Sequence, residues 1–182
     1  MPAFRTILHA IAALVLLRLS AAAVEERRVA DSPKGPAGAI IAVANLTGTP
    51  GASGRVVFNW YNNRGNVNVT LKGSLTNITM SHIRLRNMTL GNPIIAGILP
   101  RMVSWIPKML DPPVSFTNSY TFNATFDARY LKMIRSDMTA NTFLSLLGQG
   151  SLYVSVSTTG QPGGALQGPL ICKGDCKSHT GY

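Results

Sequence analysis

The chain contains 182 residues, 46% of them hydrophobic, and its 17 lysines and arginines outnumber its 7 aspartates and glutamates, giving a net charge of +10. This length fits one domain that is large enough to be stable without many crosslinks. The acidic side chains are few and scattered, and there are only three histidines. The composition therefore argues against acid–base or nucleophilic catalysis, and we expect no enzyme activity, no catalytic residues and no cofactor.

The N-terminal segment 1–23 is predicted to be a secretory signal peptide. Arg5 precedes an apolar run that ends at Leu17, and small residues follow up to Ala23. Arg18 interrupts the run before it is long enough for a stable membrane span. Cleavage after Ala23 would release the protein to the extracellular space or the cell wall. An uncleaved membrane anchor or a buried helix is the alternative.

The excess of positive charge remains after this segment is removed. The segment contains two arginines and no acidic residue, so its loss leaves 159 residues with a net charge of +8, beginning with a predicted flexible leader at 24–38. A charge of this size favours polyanionic partners. We therefore expect an extracellular protein or an acidic polysaccharide as the partner, and no nucleic acid, because a secreted protein rarely meets it. The alternative is that the charge serves solubility alone.

Hydrophobic residues recur mostly with the period of two that is typical of β-strands. Apolar side chains at Val56, Phe58 and Trp60 are followed, after a turn-rich segment, by the same pattern at 67–71, which predicts a hairpin. Short strands separated by Gly, Pro and Asn suggest a sandwich or a barrel, and the fold that we expect over residues 39–171 is all-β, an antiparallel Greek-key-like β-sandwich. Further strands are predicted at 39–46, 79–86, 94–99, 120–126, 152–158 and 165–171.

Two short helices are predicted in the connections. A polar start at Thr139 and a stop at Gly148 enclose the first candidate at 142–147, and 128–134 is the second. The segment 100–119 contains four prolines and is predicted to be a long irregular connection, because proline is not tolerated in an interior strand. Its apolar residues either form a docking surface or fold over one end of the core.

Five Asn-X-Ser/Thr sequons without proline at the middle position support export. A single sequon is common by chance, but five in so short a chain form a stronger pattern. We expect at least two to carry glycan; the alternative is that some are only the Asn/Thr-rich sequence of strands and turns. The predicted acceptors are Asn45, Asn68, Asn77, Asn87 and Asn123.

Two cysteines, Cys172 and Cys176, lie in a C-terminal tail at 172–182 with Gly174 between them. In an oxidising compartment this spacing favours a local disulfide. Because so short a loop removes little chain entropy, the bond would pin the tail rather than hold the fold together. A redox-active dithiol is the alternative. A zinc site is not expected, since the only further ligand nearby is His179.

Three segments carry a family resemblance, at 48–71, 75–83 and 152–170. The third is the most specific: Leu-Tyr-Val-Ser-Val-Ser-Thr at 152–158 is followed by Gln-Pro-Gly-Gly-Ala-Leu-Gln-Gly-Pro-Leu at 161–170. These segments resemble the CHRD domain, which is repeated in chordin and occurs singly in many secreted proteins. That family commonly has Tyr-Val-Asn-Val-His-Thr there, and then Asn-Pro-Gly-Gly-Glu-Ile-Arg-Gly-Gln-Leu. The resemblance implies a single-domain secreted member of the family.

The chain departs from the family pattern at polar positions of these strands. Of three histidines that the family tends to have, only His82 remains, and Arg84 and Ser157 occupy the other two positions. Ala165 and Gln167 replace a glutamate and an arginine. We therefore expect no metal site.

One strand supplies the candidate binding face. Period two places His82, Arg84 and Arg86 on the same side of the strand predicted at 79–86, with the apolar residues between them facing the core. Guanidinium groups suit carboxylate or sulfate. The alternative is an ordinary solvated face, and a lone histidine is more often a hydrogen-bonded structural residue than a ligand.

Two functions from different classes remain open. The first is a secreted, non-enzymatic binding module that recognises an extracellular protein or an acidic glycan. The second is a structural glycoprotein of the cell wall or extracellular matrix without a discrete ligand. Salt distinguishes them, because a complex held by charge weakens as ionic strength rises. The oligomeric state is not indicated by any pattern in the sequence.

Overall fold

The computed structural model describes residues 38–102, 106, 108–174 and 176. The predicted signal peptide at 1–23, the leader except for its last residue, and most of the tail lie outside these residues. The described chain is mainly β-strand. Its strands are β1 Ile40–Gly48, β2 Ala52–Tyr61, β3 Arg64–Leu85, β4 Ile94–Leu99, β5 Val114–Asp127, β6 Leu152–Thr158, β7 Leu166–Pro169 and β8 Ile171–Lys173. Its helices are a short 3₁₀ turn at Met88–Leu90, α1 Ala128–Ile134 and α2 Ala140–Gly148.

Five of these strands close into a barrel, in the order β3, β2, β1, β7, β6 and back to β3. All of the pairings are antiparallel, so the predicted all-β antiparallel class is confirmed. The predicted Greek-key-like sandwich is wrong. A sandwich has two separate sheets, whereas here the first half of β3 pairs with β2 and the second half pairs with β6, so one strand joins both sides of the barrel.

The strand β3 runs without interruption for 22 residues, where the sequence predicts two strands, at 67–71 and 79–86. Asn77 lies between the two predicted strands with a φ of 56°. The pairing of β3 shifts register on either side of Ile78. A left-handed residue and a bulge change the direction of a strand without ending it. The residues that indicate a turn therefore bend one long strand.

Two further strands pair with β3 outside the barrel. β4 pairs with the second half of β3 and β5 with the first half. The predicted irregular connection at 100–119 is wrong over its last six residues, because β5 begins at Val114. Pro112 and Pro113 precede this strand rather than interrupt it. The connection is fixed to β3 by a hydrogen bond from the Leu110 amide to the Thr79 carbonyl oxygen, at 2.8 Å.

The barrel core ends in a cluster of aromatic rings under α2. Phe143 of this helix lies 5.6 Å from the ring of Phe58, 5.8 Å from that of Trp60 and 5.7 Å from that of Phe126, measured between centroids. Such rings bury large apolar surfaces and hold helix and strands in a fixed geometry. The helix begins at Ala140, two residues before the predicted start at 142, because the Thr139 hydroxyl caps it by accepting a hydrogen bond from the Thr142 amide at 3.1 Å. Among the described residues, no helix is long and apolar enough to cross a membrane.

A glycine allows β1 and β7 to approach closely where the barrel closes. A Cβ on Gly168 would lie 2.1 Å from the carbonyl oxygen of Asn45, and no rearrangement of a side chain could relieve that contact. The absence of a side chain at this position therefore permits the pairing that places Thr47 opposite Gln167.

The predicted disulfide between Cys172 and Cys176 is confirmed. Cys172 lies in β8, which pairs with β1, and Cys176 is buried with the core residues. The bond fixes the chain beyond the last strand against the barrel.

Candidate anion-binding cleft

A cleft of about 400 Å³ opens on the outer surface of the barrel, beside the end of β3. It lies where β3, β6 and β7 run side by side. Tyr153 on β6 pairs with Arg84 on one side and with Pro169 on the other, so the strand register brings these three residues into one row. The cleft is lined by Arg86, Asn92, Tyr153, Gln167, Gly168 and Pro169.

Arg84 does not line the cleft itself but contacts Asn92, which does. It is half-buried, its Nε donates a hydrogen bond to the Ser155 hydroxyl at 3.1 Å, and its Nη1 lies 3.5 Å from the Asn92 carbonyl oxygen. Ser155 is fully buried. Because two neighbours hold the guanidinium, its orientation is set before any ligand arrives.

Arg86 is exposed, and its side chain lines the cleft directly. Its backbone amide donates to the Ser151 carbonyl oxygen at 2.8 Å, which ties the end of β3 to the residue before β6. Arg84 is the last residue but one of β3, and Arg86 directly follows the end of that strand at Leu85.

The turn after Arg86 carries Asn92 back to the cleft. The Asn87 amide donates to the Asn92 side-chain oxygen at 2.9 Å, and the Asn92 amide donates to the Asn87 carbonyl oxygen at 2.9 Å. Asn92 has a φ of 52°, a left-handed conformation that asparagine tolerates better than most residues. This closed turn fixes the carbonyl group that Arg84 contacts.

The charged groups at the cleft are all positive. None of its six lining residues is acidic, and they include the Arg86 guanidinium, with that of Arg84 bonded behind Asn92. Guanidinium groups present planar, forked donors that match carboxylate, sulfate and phosphate oxygens. The arrangement can therefore hold a small anionic group between the end of β3 and the edge of β7.

His82 does not belong to this exposed surface, although the sequence predicts it on the same face. Its side chain is 0% exposed, and neither ring nitrogen has a hydrogen-bond partner among the described residues. Burial, and secondarily the charge of Arg84, lowers the pKa of His82 from 6.5 to about 4. His82 is therefore neutral at physiological pH, and the expectation that it faces solvent is wrong.

Other basic residues are placed elsewhere. Arg129 lines a different cleft that also contains Asp127. Arg135 is bonded through Nε and Nη2 to the Asp137 carboxylate, at 3.0 and 2.6 Å. Those guanidinium groups share their surroundings with acidic partners, unlike the pair at the end of β3.

The predicted glycosylation sites differ in their surroundings. Asn45, Asn68 and Asn123 are exposed on β1, β3 and β5, and Asn68 stands directly opposite Asn123 in the strand register. Asn77 is exposed at the bend of β3. Asn87 is half-buried in the turn beside the cleft.

Sequence reasoning missed five of the six lining residues of the cleft, namely Asn92, Tyr153, Gln167, Gly168 and Pro169. Period two does group Tyr153 with Ser155, but only the pairing of β6 with β3 and β7 shows that both strands reach the arginines. Gly91-Asn92-Pro93 is a local turn signal, but only the structure shows that this turn brings Asn92 back to the end of β3. Among the described residues, no group of three or more His, Cys, Asp and Glu side chains could hold a metal ion.

Comparison with known proteins gave one match. The family model described as the CHRD domain matches residues 38–170, which is most of the chain. A search of curated proteins found no significant match, and neither did a search of solved structures.

Proposed function

Because the chain belongs to the CHRD domain family, we propose that it is a secreted, non-enzymatic binding module whose cleft at Arg84 and Arg86 recognises acidic groups of an extracellular protein or polysaccharide. The family suggests an extracellular module of the binding type and is in general non-enzymatic.

The observation that carries the proposal is the unbalanced positive charge of a preformed cleft. Arg84 is fixed by Ser155 and Asn92, Arg86 is exposed beside it, and no lining residue is acidic. A guanidinium that is already oriented loses less conformational entropy when it binds an anion. The net positive charge of the whole chain adds long-range attraction for polyanions.

Binding of a sulfated or carboxylated polysaccharide tests the proposal. We expect the protein to bind heparin or polygalacturonate, and to lose most of that affinity when Arg86 is replaced by alanine. Arg86→Lys retains the charge but not the fork, so it should recover only part of the affinity. Affinity should also fall steeply as salt is raised, because exposed charges are screened.

Arg64→Ala is the matched control. Arg64 is an exposed arginine at the opposite end of β3, so its loss removes the same charge away from the cleft. If Arg64→Ala and Arg86→Ala weaken polyanion binding equally, the attraction is spread over the surface and the cleft is not the site.

A second function, a structural glycoprotein of a wall or matrix, is favoured by a different observation. Four of the five sequon asparagines are exposed: Asn45, Asn68, Asn77 and Asn123. A heavily glycosylated component that is held in a wall by covalent bonds, or by entrapment in the matrix, would remain there in high salt, because salt weakens only charge-driven binding. Release of the native protein from its matrix by salt alone would exclude this function.

A further inference from the structure

We propose that Asn45 and Asn87 are N-glycosylation sites whose glycans stand on opposite rims of the cleft and restrict it to narrow anionic groups. The inference rests on the proposed function, since it assigns a form of regulation to the same cleft. It depends on where the strand register places two of the five sequons.

The first rim is β1. Thr47, the third residue of the sequon at Asn45, pairs with Gln167, which lines the cleft. The Asn45 carbonyl oxygen lies against Gly168, another lining residue, and the Asn45 side chain is exposed. A glycan on Asn45 therefore projects from the strand next to β7.

The second rim is the turn that follows β3. Asn87 directly follows Arg86, and its backbone exchanges two hydrogen bonds of 2.9 Å with Asn92. Both of these neighbours line the cleft. A glycan on Asn87 therefore projects from the side opposite β1.

The turn at Asn87 is compatible with the modification. Its side-chain oxygen Oδ1 accepts a hydrogen bond from the Leu90 amide at 3.1 Å. Glycosylation takes place at Nδ2: the nitrogen bonds to the anomeric carbon of a lipid-pyrophosphate-linked oligosaccharide, the bond from that carbon to the pyrophosphate oxygen breaks, Nδ2 loses a proton, and the lipid pyrophosphate leaves. Oδ1 remains an acceptor, so the turn retains its bond.

The sequons at Asn68 and Asn123 provide the comparison within the same chain. They lie opposite one another in the pairing of β5 with the first half of β3, and neither they nor the residues paired with them line the cleft. A glycan there covers the outer face of those two strands. Unlike these two sites, Asn45 and Asn87 flank the arginines.

Two bulky hydrated glycans at the rims should change the affinity of the cleft for a ligand according to the size of that ligand. A long sulfated polymer must pass between them to reach Arg86, whereas a disaccharide with a single sulfate enters between them. Glycosylation therefore lowers the affinity for the polymer and leaves that for the disaccharide nearly unchanged.

Glycopeptide mapping and binding measurements on protein secreted from a glycosylating host test the inference. Asn45→Gln removes one acceptor. Thr89→Ala removes the other sequon without altering the Asn87 turn. We expect glycan at both sites in the unmodified sequence, and a several-fold gain in affinity for polymeric heparin when both substitutions are made. Affinity for a heparin disaccharide should change little, and Asn68→Gln, the control, should leave both affinities as they are.

The same variants made in a host without N-glycosylation separate the effect of the glycans from that of the side chains. There, the double variant should bind polymeric heparin as the unmodified sequence does. Absence of glycan at Asn45 or Asn87 overturns the inference, and so does an unchanged affinity after their removal from the glycosylated protein. If the unglycosylated protein binds no heparin, or binds it equally well after Arg86→Ala, the proposed function fails, and the regulation of the cleft fails with it.

Discussion

Arg84 and Ser155 are joined across two paired strands by a hydrogen bond of 3.1 Å from the guanidinium Nε to the serine hydroxyl. The serine is completely buried, whereas the arginine is half-buried and supports the cleft. A buried hydroxyl therefore controls the direction of a charge at the surface. Neither residue has this role by itself, since the contact exists only because β6 pairs with β3.

Replacement of Ser155 by alanine should weaken ligand binding more than it weakens the fold. The variant removes the acceptor of a charged donor, a bond worth about 1.5–3 kcal/mol when the donor is fully desolvated and less for the half-buried Arg84. We expect a loss of about 1 kcal/mol in the free energy of unfolding and a lower affinity for heparin. Urea unfolding and titration calorimetry measure the two quantities. Ser119→Ala, on the exposed face of β5, should change neither, and equal effects from the two serines would contradict the positioning role.

The burial of His82 predicts a pH dependence of stability. Its folded pKa of about 4 lies below the ordinary value of 6.5, so between these values the unfolded chain binds a proton that the folded chain does not. The stability contribution is complete above pH 6.5 and is lost as the pH falls towards 4, by up to about 3 kcal/mol. Denaturant unfolding between pH 7.5 and pH 4 should show this decline. His82→Gln and His82→Leu should both reduce it, and a decline of undiminished size in both variants would assign it to other groups.

The Tyr130 hydroxyl fixes the start of the connection after β4. It accepts hydrogen bonds from the Gly97 and Met102 amides, both at 3.2 Å, and it donates to the Gly97 carbonyl oxygen at 3.3 Å. Tyr130→Phe leaves these buried backbone groups without that partner, at a cost of about 2 kcal/mol. Thermal unfolding should show a melting temperature lower by several degrees. Tyr61→Phe is the control, because Tyr61 is 41% exposed and its hydroxyl group can be replaced by water. A Tyr130 variant as stable as the control would show that the three contacts contribute little.

Gly168 permits the close approach of β1 and β7 that closes the barrel, and it also lines the cleft. The Cβ introduced by Gly168→Ala would meet the Asn45 carbonyl oxygen at 2.1 Å, so β1 and β7 must separate. We expect destabilisation of about 1–3 kcal/mol, the usual range for overpacking, and weaker heparin binding. Gly160→Ala, where a Cβ meets nothing within 4 Å, should have little effect on either. If Gly168→Ala were as stable as the unmodified protein, β1 and β7 would not need the close approach that Gly168 permits.

Local signals in the sequence were sufficient to predict most of the elements. The alternation at Val56, Phe58 and Trp60 predicts β2, and the cap at Thr139 predicts α2, because each depends on residues close together in the chain. The disulfide between Cys172 and Cys176 is local in the same sense. The prediction of a binding face at Arg84 and Arg86 also rests on a local pattern, their alternate positions in the strand predicted at 79–86.

The missed features depend on pairings between distant segments. The prediction that His82 faces solvent assumes that one face of its strand is exposed. Every residue of β6, the strand paired with it, is buried. Polar side chains on either face of these two strands are therefore covered, and His82 is one of them. Closure of the barrel depends on Asn77 bending β3 instead of ending it. That outcome is decided by β5 and β6, whose residues follow Asn77 by 37 or more positions, and no short window of sequence contains it.

The length of β3 also determines when the nascent protein can finish folding. Its second half remains without its barrel neighbour until Leu152–Thr158 has been synthesised, and the ring is complete only when β7 has joined β1. The nascent chain therefore has an open, apolar sheet edge while residues 86–158 are being synthesised, the kind of surface that pairs with other chains. We therefore expect truncations before β6 to aggregate rather than form a smaller domain.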